Sequence, residues 1–229
     1  KPASELPVAT KALQQQVDMR LETYASLEAQ IAALADDIAY NNHDVEDGLH
    51  AGLLCLEECR DVPLLNRIIT QVEGQYPGIE QEILIYQVIR EMIGLMVVDV
   101  LEETRRRLQE HKPQTPEDIR LAPRPMVAFS DGLLADVNIL RKFLWERMYR
   151  HHTVVRTMNK ASRVVKELYE SFIDNPKLLP PKWQDRLATE ADDSPESQAR
   201  IVADYIASMT DRFAIKEHET LFEPYLYSR

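Results

Sequence analysis

The stretch EQEILIYQVIREMIGLMVVDVLEETRRRLQEH, Glu80–His111, indicates the fold class most clearly. It contains no proline, so its helical period is not interrupted. Apolar residues lie on nearly every side of the predicted helix between Ile83 and Val100. That pattern is typical of a central, buried helix. Residues 102–110 are rich in charge, and we expect this end of the helix to be solvated.

The segments on either side also repeat the helical period. Apolar residues follow Ser26 at helical spacing, and Ser26 is a suitable N-cap for a helix that runs to about Asp47. Asp61 is predicted to cap the next helix. The further predicted helices are 62–75, 131–150, 154–174 and 197–222. Together these segments predict a multi-helix bundle, with residues 1–229 as a single all-α domain.

One segment breaks the helical pattern in the middle of the chain. Lys112–Ser130 contains four prolines and is predicted to be a stiff connection. Met126–Phe129 is the only part of it that allows a short extended piece, and strand alternation is essentially missing from the chain.

Composition excludes several classes of protein. The 229 residues include 27 Lys and Arg against 38 Asp and Glu, for a formal charge of -11, which excludes a uniformly basic nucleic-acid binder. The six glycines form neither a Rossmann nor a P-loop fingerprint. No apolar run reaches the roughly 18 to 20 residues of a membrane span. With no visible signal peptide, we expect a cytoplasmic protein without membrane contact.

Two cysteines, Cys55 and Cys59, lie four residues apart and cannot form a disulfide framework. One interpretation is a pair of metal thiolates, and the other is two packed or half-buried thiols in a reducing compartment. The second is favoured because no histidine or further cysteine pair lies nearby in sequence. The chain begins at Lys1 rather than at an initiator methionine, so we expect it to be a piece of a longer protein.

The stretch ALADDIAYNNHDVEDGL, Ala33–Leu49, carries the candidate chemistry. Asp36, Tyr40 and Asp44 lie four residues apart and share one face of the predicted helix. Carboxylates bind hard cations or sugar hydroxyls, and a tyrosine ring stacks on a sugar or base. The alternative is a solvated acidic face. Because no Lys or Arg lies between Asp36 and His50, the acidic cluster lacks local bases, which favours a cation at this face.

Three motifs resemble motifs of one protein family, and they follow one another along the chain in the same order as in that family. They are ADDIAYNNHDVEDGL (35–49), KFLWERMYRH (142–151) and DYIASMTDRFA (204–214). They resemble the bacterial deoxyguanosinetriphosphate triphosphohydrolase-like (dGTPase-like) proteins of the HD-domain superfamily. The resemblance implies an HD-type helical fold. It also implies a hydrolase that cleaves deoxynucleoside triphosphates (dNTPs) to deoxynucleoside and triphosphate, using Mg²⁺ or Mn²⁺.

The resemblance also implies roles for individual residues. Asp36 matches the last metal ligand, and Tyr40 and Asp44 match the residues that contact the deoxyribose and its 3′ hydroxyl. Arg141 matches a basic residue that reaches the phosphates, with Lys142 beside it and Tyr149 on the same face.

The chain departs from the family pattern at its start. The family's first metal histidine, its His-Asp pair and its catalytic His and Glu precede the motif at 35–49, and none is present. We interpret His43-Asp44 as an accidental match. The chain therefore resembles the C-terminal part of the enzyme, with no catalytic residue and an incompletely liganded metal. Alone it is expected to be inactive. The resemblance further implies a homo-oligomer, for which Ile83–Val100 offers an interface.

Two other interpretations stay open. One is a non-catalytic helical module for nucleotide sensing or assembly. The other concerns residues 141–166, where eight Lys or Arg oppose the single acid Glu146. These cations are interpreted as a phosphate wall, a solvated face or a weak contact for single-stranded nucleic acid. His151 and His152 are assigned to the phosphate side or to polar packing. The residues assigned to packing are Trp145, Trp183, Tyr205, Met209 and Phe213.

Overall fold

A computed structural model describes residues 7–190 and 194–223. Regular structure in these residues is helical, without a strand, so the predicted all-α fold class is confirmed. The helices are α1 (Val8–Gln16), α2 (Leu27–His50), α3 (Leu56–Cys59), α4 (Pro63–Gln75), α5 (Gln81–His111), α6 (Pro116–Arg120), α7 (Asp131–Leu144), α8 (His152–Asp174), α9 (Pro181–Glu190), α10 (Pro195–Ala207) and α11 (Asp211–Phe222). A π-helical turn, Trp145–Tyr149, continues α7. None of the described helices has the length and apolar character needed to cross a membrane.

The chain divides into two compact units. The first ends at Tyr149 and the second begins at Arg150. In the first unit α2 and α4 pack against α5, and α7 packs against both α2 and α4. In the second unit α8 packs against α10 and α11. That residues 1–229 act as a single domain stays a prediction.

Helix α5 is central to the first unit, but only one of its faces is buried. That face carries Leu84, Ile85, Val88, Ile89, Met92 and Met96. The opposite face exposes Ile83, Tyr86, Ile93, Val97, Val98 and Leu101. The prediction of a central helix is therefore confirmed, while the expectation that it is buried on all sides is wrong. Apolar residues all round a helix do not show which face has a neighbour.

The charged end of α5 is also less solvated than expected. Glu103 and Arg107 are both buried, and the Arg107 Nε lies 2.6 Å from the Glu103 Oε1. Arg106 donates to the same carboxylate, and Arg107 also donates to the carbonyl oxygen of Pro125 at 2.8 Å. Arg107, oriented by Glu103, therefore links the proline-rich connection to α5.

The extended piece allowed at Met126–Phe129 is not a strand in the structure. The backbone N–H groups of Met126 and Val127 both donate to the side-chain oxygen of Gln30 on α2, at 2.8 and 3.1 Å. A side chain of a helix thus takes the place of a neighbouring strand as the hydrogen-bond acceptor.

Helix α2 begins as predicted. Ser26 is its N-cap and accepts a hydrogen bond from the backbone N–H of Ala29. The helix continues through Gly48 to His50, beyond the expected end at Asp47. A Cβ atom at Gly48 would lie 2.6 Å from the Cδ1 of Leu54, so this glycine allows Leu54 to pack closely against α2.

Two other predicted helix boundaries are wrong. Helix α4 begins at Pro63 after Val62, and Asp61 does not cap it, because proline already suits the first helical position. The helix predicted over 197–222 is split into α10 and α11, since Thr210 caps a new helix through a bond from the N–H of Phe213.

The second unit has its own apolar core. Its buried residues are Leu168, Phe172, Leu179, Val202 and Tyr205. Tyr205 is packed as expected, and Trp183 and Met209 lie against this core. Phe213 is exposed, so its assignment to the core is wrong. The break before α11 gives Phe213 a different helical register from Tyr205.

Candidate functional site

A pocket of about 200 Å³ lies in the first unit between α2 and the end of α7. Its lining combines carboxylate, amide, guanidinium, phenol and indole groups. The lining residues are Asp37, Tyr40, Asn41, Asp44, Arg141, Leu144, Trp145 and Tyr149. The structure thus brings together four of the residues singled out from sequence, namely Tyr40, Asp44, Arg141 and Tyr149.

The local structure of two helices explains this convergence. On α2, Tyr40 and Asp44 lie one turn apart and face the same way. On the other wall, Arg141 belongs to α7 and Tyr149 ends the π-helical turn. A spacing of four residues keeps side chains on one side of a helix, and the π-helical turn preserves this for residues 141, 145 and 149. Arg141, Trp145 and Tyr149 therefore all line the pocket.

The phenol groups and Asp44 form one hydrogen-bonded chain. The Tyr149 hydroxyl donates to the Asp44 Oδ2 at 2.5 Å, and the hydroxyls of Tyr40 and Tyr149 are also hydrogen-bonded. Burial raises the pKa of Tyr149 above its ordinary value, and the bonds to Asp44 and Tyr40 raise it further. Tyr149 is therefore a neutral donor at physiological pH. Tyr40 remains 58% exposed and presents its ring to solvent at the pocket.

Arg141 contacts two residues that the sequence did not indicate as part of the site. Its Nε donates to the Asn41 Oδ1 at 3.2 Å, and its Nη2 lies 3.0 Å from the Asp37 Oδ2. Both partners lie on α2, about 100 positions before Arg141 in the chain. The four-residue spacing of Asp37 and Asn41 places them on one face of α2, and this spacing was the available signal.

Trp145 is a third lining residue that was missed. It was assigned to packing, but its side chain is 57% exposed, and its ring centroid lies 6.1 Å from that of Tyr149. The assignment to packing is wrong because Trp145 lies on the same face as Arg141 and Tyr149, which lines the pocket. Its position four residues from both Arg141 and Tyr149 was the signal in the sequence.

Two predicted site residues do not line the pocket. Lys142 is exposed, and its ammonium group lies 4.0 Å from Glu146 on the same helix. Asp36 is exposed on α2, and Asp37 rather than Asp36 faces Arg141. The roles of Lys142 at the phosphates and of Asp36 as a metal ligand stay predictions.

The described residues do not make a divalent-metal site by themselves. Across 7–190 and 194–223, no three His, Cys, Asp or Glu side chains are grouped so that they could hold a metal ion. Asp36 alone offers one carboxylate, whereas Mg²⁺ and Mn²⁺ require several oxygen ligands. Burial raises the pKa of the Cys59 thiol to about 12, so this residue is a protonated, packed thiol.

The cations of α8 lie in the second unit. Arg156 and Lys160 are exposed, while Arg163 pairs with Glu167 at 2.7 Å and Lys166 with Glu170 at 3.7 Å. His151 caps the helix through its Nδ1, which accepts from the N–H of Thr153. His151 thus has a polar structural role.

Known proteins match most of the chain. The phosphohydrolase-associated domain family matches residues 127–220. A deoxyguanosinetriphosphate triphosphohydrolase-like protein of Parvibaculum lavamentivorans is 45% identical over 222 residues, which cover 96% of this chain and 55% of that protein. The resemblance to the dGTPase-like family is confirmed. The proteins of the same name from Brucella ovis and Caulobacter vibrioides are each 45% identical, over 90% of this chain.

The dGTPase-like relatives are longer than the chain. It covers 50% of the Brucella ovis protein and 51% of the Caulobacter vibrioides protein. The chain therefore spans about half the length of the curated relatives it matches. The match to the phosphohydrolase-associated domain begins before α7, so it includes Arg141, the π-helical turn and most of the second unit.

Proposed function

We propose that this chain takes part in the hydrolysis of deoxynucleoside triphosphates to deoxynucleoside and triphosphate. Its contribution is a wall that binds the sugar and the phosphates. The observation that carries the proposal is the pocket in which Asp44, Tyr40 and Tyr149 lie beside Arg141. The relatives are named as triphosphohydrolase-like proteins, which supports the same reaction class.

The sugar end of the wall is formed by the hydrogen-bonded chain. Asp44 accepts from Tyr149 with one carboxylate oxygen, and a carboxylate has further lone pairs for a sugar hydroxyl. The exposed ring of Tyr40 offers an apolar face against which a deoxyribose can pack. Because Tyr149 stays neutral, it donates to Asp44 and orients that carboxylate.

The phosphate end is formed by Arg141. A guanidinium group has five N–H donors in a planar fork that suits phosphate oxygens. The buried Asn41 accepts from Nε, so the guanidinium is oriented before a ligand arrives, while Asp37 contacts Nη2. In this proposal Asp36 is a ligand of Mg²⁺ or Mn²⁺, and the other ligands belong to sequence outside the described residues.

The test is dNTP hydrolysis by the longest natural form of the protein, with Mn²⁺ present and released triphosphate as the readout. We expect release by the unaltered protein and its loss in Asp36→Ala and Asp44→Ala. Asp47→Ala serves as the matched control, since Asp47 is an exposed acid on the same helix. Absence of triphosphate from all four dNTPs would contradict the proposal and favour a nucleotide-sensing or assembly module.

A second candidate function is assembly as a homo-oligomer. The exposed apolar face of α5 supports it, with Tyr86 and Val98 about half exposed. Contiguous apolar surface of this kind is typical of protein interaction sites. Sedimentation of the purified chain tests this candidate, and a concentration-independent monomer would contradict it.

A further inference from the structure

The two partners of Arg141 differ in charge and burial. Asn41 is neutral and only 3% exposed, and its amide nitrogen donates to the backbone carbonyl of Asp37 at 2.6 Å. That bond fixes the Asn41 oxygen toward the Nε of Arg141. Asp37 carries a carboxylate, and its side chain is about half exposed. Arg141 therefore has two different acceptors: Asn41, which is neutral and fixed, and Asp37, which is anionic and accessible to solvent.

An anion that enters the pocket meets both partners. A phosphate oxygen requires the same kind of guanidinium N–H donor that the Asp37 carboxylate already contacts. It is also repelled by the Asp37 charge, because two anions then lie within a few ångströms. Asn41 also occupies one donor, the Nε of Arg141, but it adds no repulsion because its amide carries no net charge.

We propose that Asp37 competes with phosphate groups for Arg141 and so lowers the affinity of the pocket for condensed phosphates. The inference rests on the phosphate-binding role proposed for Arg141. The competitor acts by its charge rather than by holding Arg141 in place. Asn41 keeps Nε oriented independently, so neutralising Asp37 leaves the guanidinium in position and able to contact a phosphate.

The experiment measures binding of inorganic tripolyphosphate to the full chain by titration calorimetry, at low salt and with EDTA. We expect Asp37→Asn to tighten binding about fivefold, as estimated for removal of one half-exposed competing charge. The gain shrinks as NaCl is added, because salt screens the repulsion. In the double variant Asp37→Asn with Arg141→Gln, the gain disappears.

Asp47→Asn is the matched control, because it removes the same charge from an exposed position of the same helix. It is expected to change binding by less than about twofold. The proposal is overturned if Asp37→Asn binds tripolyphosphate equally or more weakly, if Asp47→Asn gives the same gain, or if neither protein binds. Tripolyphosphate binding needs neither metal nor turnover, so this result is independent of the dNTP hydrolysis test.

Discussion

Helices α5 and α8 both carry clusters of cations that look alike in sequence. The two clusters differ in burial and in the partners of their cations. At the end of α5, Arg107 is buried and bonded to Glu103 and to the Pro125 carbonyl. On α8, Arg163 is exposed and pairs with Glu167 one turn away. The first cluster connects parts of the chain that are distant in sequence. Arg163 and Glu167 lie on one helix, although Glu167 is also bonded to His218 on α11.

The difference shows that charge alone does not indicate what a cation contributes. A guanidinium that is buried with its partners stabilises the fold because removing it leaves unpaired polar groups. An exposed pair within one helix contributes little, since water solvates both ions when the pair is broken. Arg141 is intermediate, because a buried amide orients it while one partner remains accessible.

The largest expected effect is a loss of stability when the buried arginine is replaced, compared with the exposed one. Arg107→Leu should lower the free energy of unfolding by about 2 to 3 kcal/mol, because Glu103 and the Pro125 carbonyl lose a donor. Arg163→Leu should change it by less than about 0.5 kcal/mol. Their side chains are 10% and 76% exposed. Urea unfolding of both variants measures the difference. Equal losses in the free energy of unfolding would contradict the contrast between the two clusters.

An intermediate effect is expected for Glu103 as the pH falls. Hydrogen bonds from Arg106 lower the pKa of Glu103 to about 2, and the bond from Arg107 adds to this shift. Because the ordinary value is 4.5, the unfolded chain takes up the proton first. The stabilisation is therefore complete above pH 4.5 and is lost as the pH falls toward 2.

Glu103→Gln tests this interpretation. The variant should be less stable than the unaltered chain at pH 7, by about 1 to 2 kcal/mol, because it loses the charge-assisted bonds. The gap should narrow at pH 3, where the unaltered chain has lost part of its advantage. Urea midpoints at the two pH values provide the measurement. A gap that is constant with pH would show that the Glu103 charge is not responsible.

The smallest effect on stability is expected on α8. Replacing Arg156 and Lys160 by Gln together should leave the free energy of unfolding within about 0.5 kcal/mol, since both side chains are exposed. The same variant should weaken any binding of a single-stranded oligonucleotide and reduce its salt dependence. Fluorescence anisotropy at two salt concentrations measures this. Unchanged, salt-independent binding would argue against a nucleic-acid role for α8.

Much of the fold could be predicted because it depends on local pattern. Helical period and the Ser26 cap located α2, and the long apolar run located α5. The buried pair of Glu103 and Arg107 could not be predicted in the same way. Its burial depends on the proline-rich connection, and no local pattern shows where that connection will lie.

Helical spacing singled out Tyr40 and Asp44, and the resemblance added Arg141 and Tyr149 to the candidate site. Tyr40, Asp44, Arg141 and Tyr149 were expected in one site, and the structure places all four in one pocket. Asp37 and Asn41 were missed because their contact with Arg141 spans about 100 positions. Trp145 was missed because tryptophan side chains are usually largely buried, although its four-residue spacing from Arg141 and Tyr149 places it on their face.

The end of the π-helical turn also marks where this chain could be joined to another protein in a chimaera without losing the pocket. All eight residues that line the pocket precede Arg150, and the last of them, Tyr149, is the final residue of the first unit. A chimaera joined after Tyr149 would keep every lining side chain, whereas one joined after Leu144 would replace both Trp145 and Tyr149. All of the pocket's lining residues therefore lie before one peptide bond, the one between Tyr149 and Arg150.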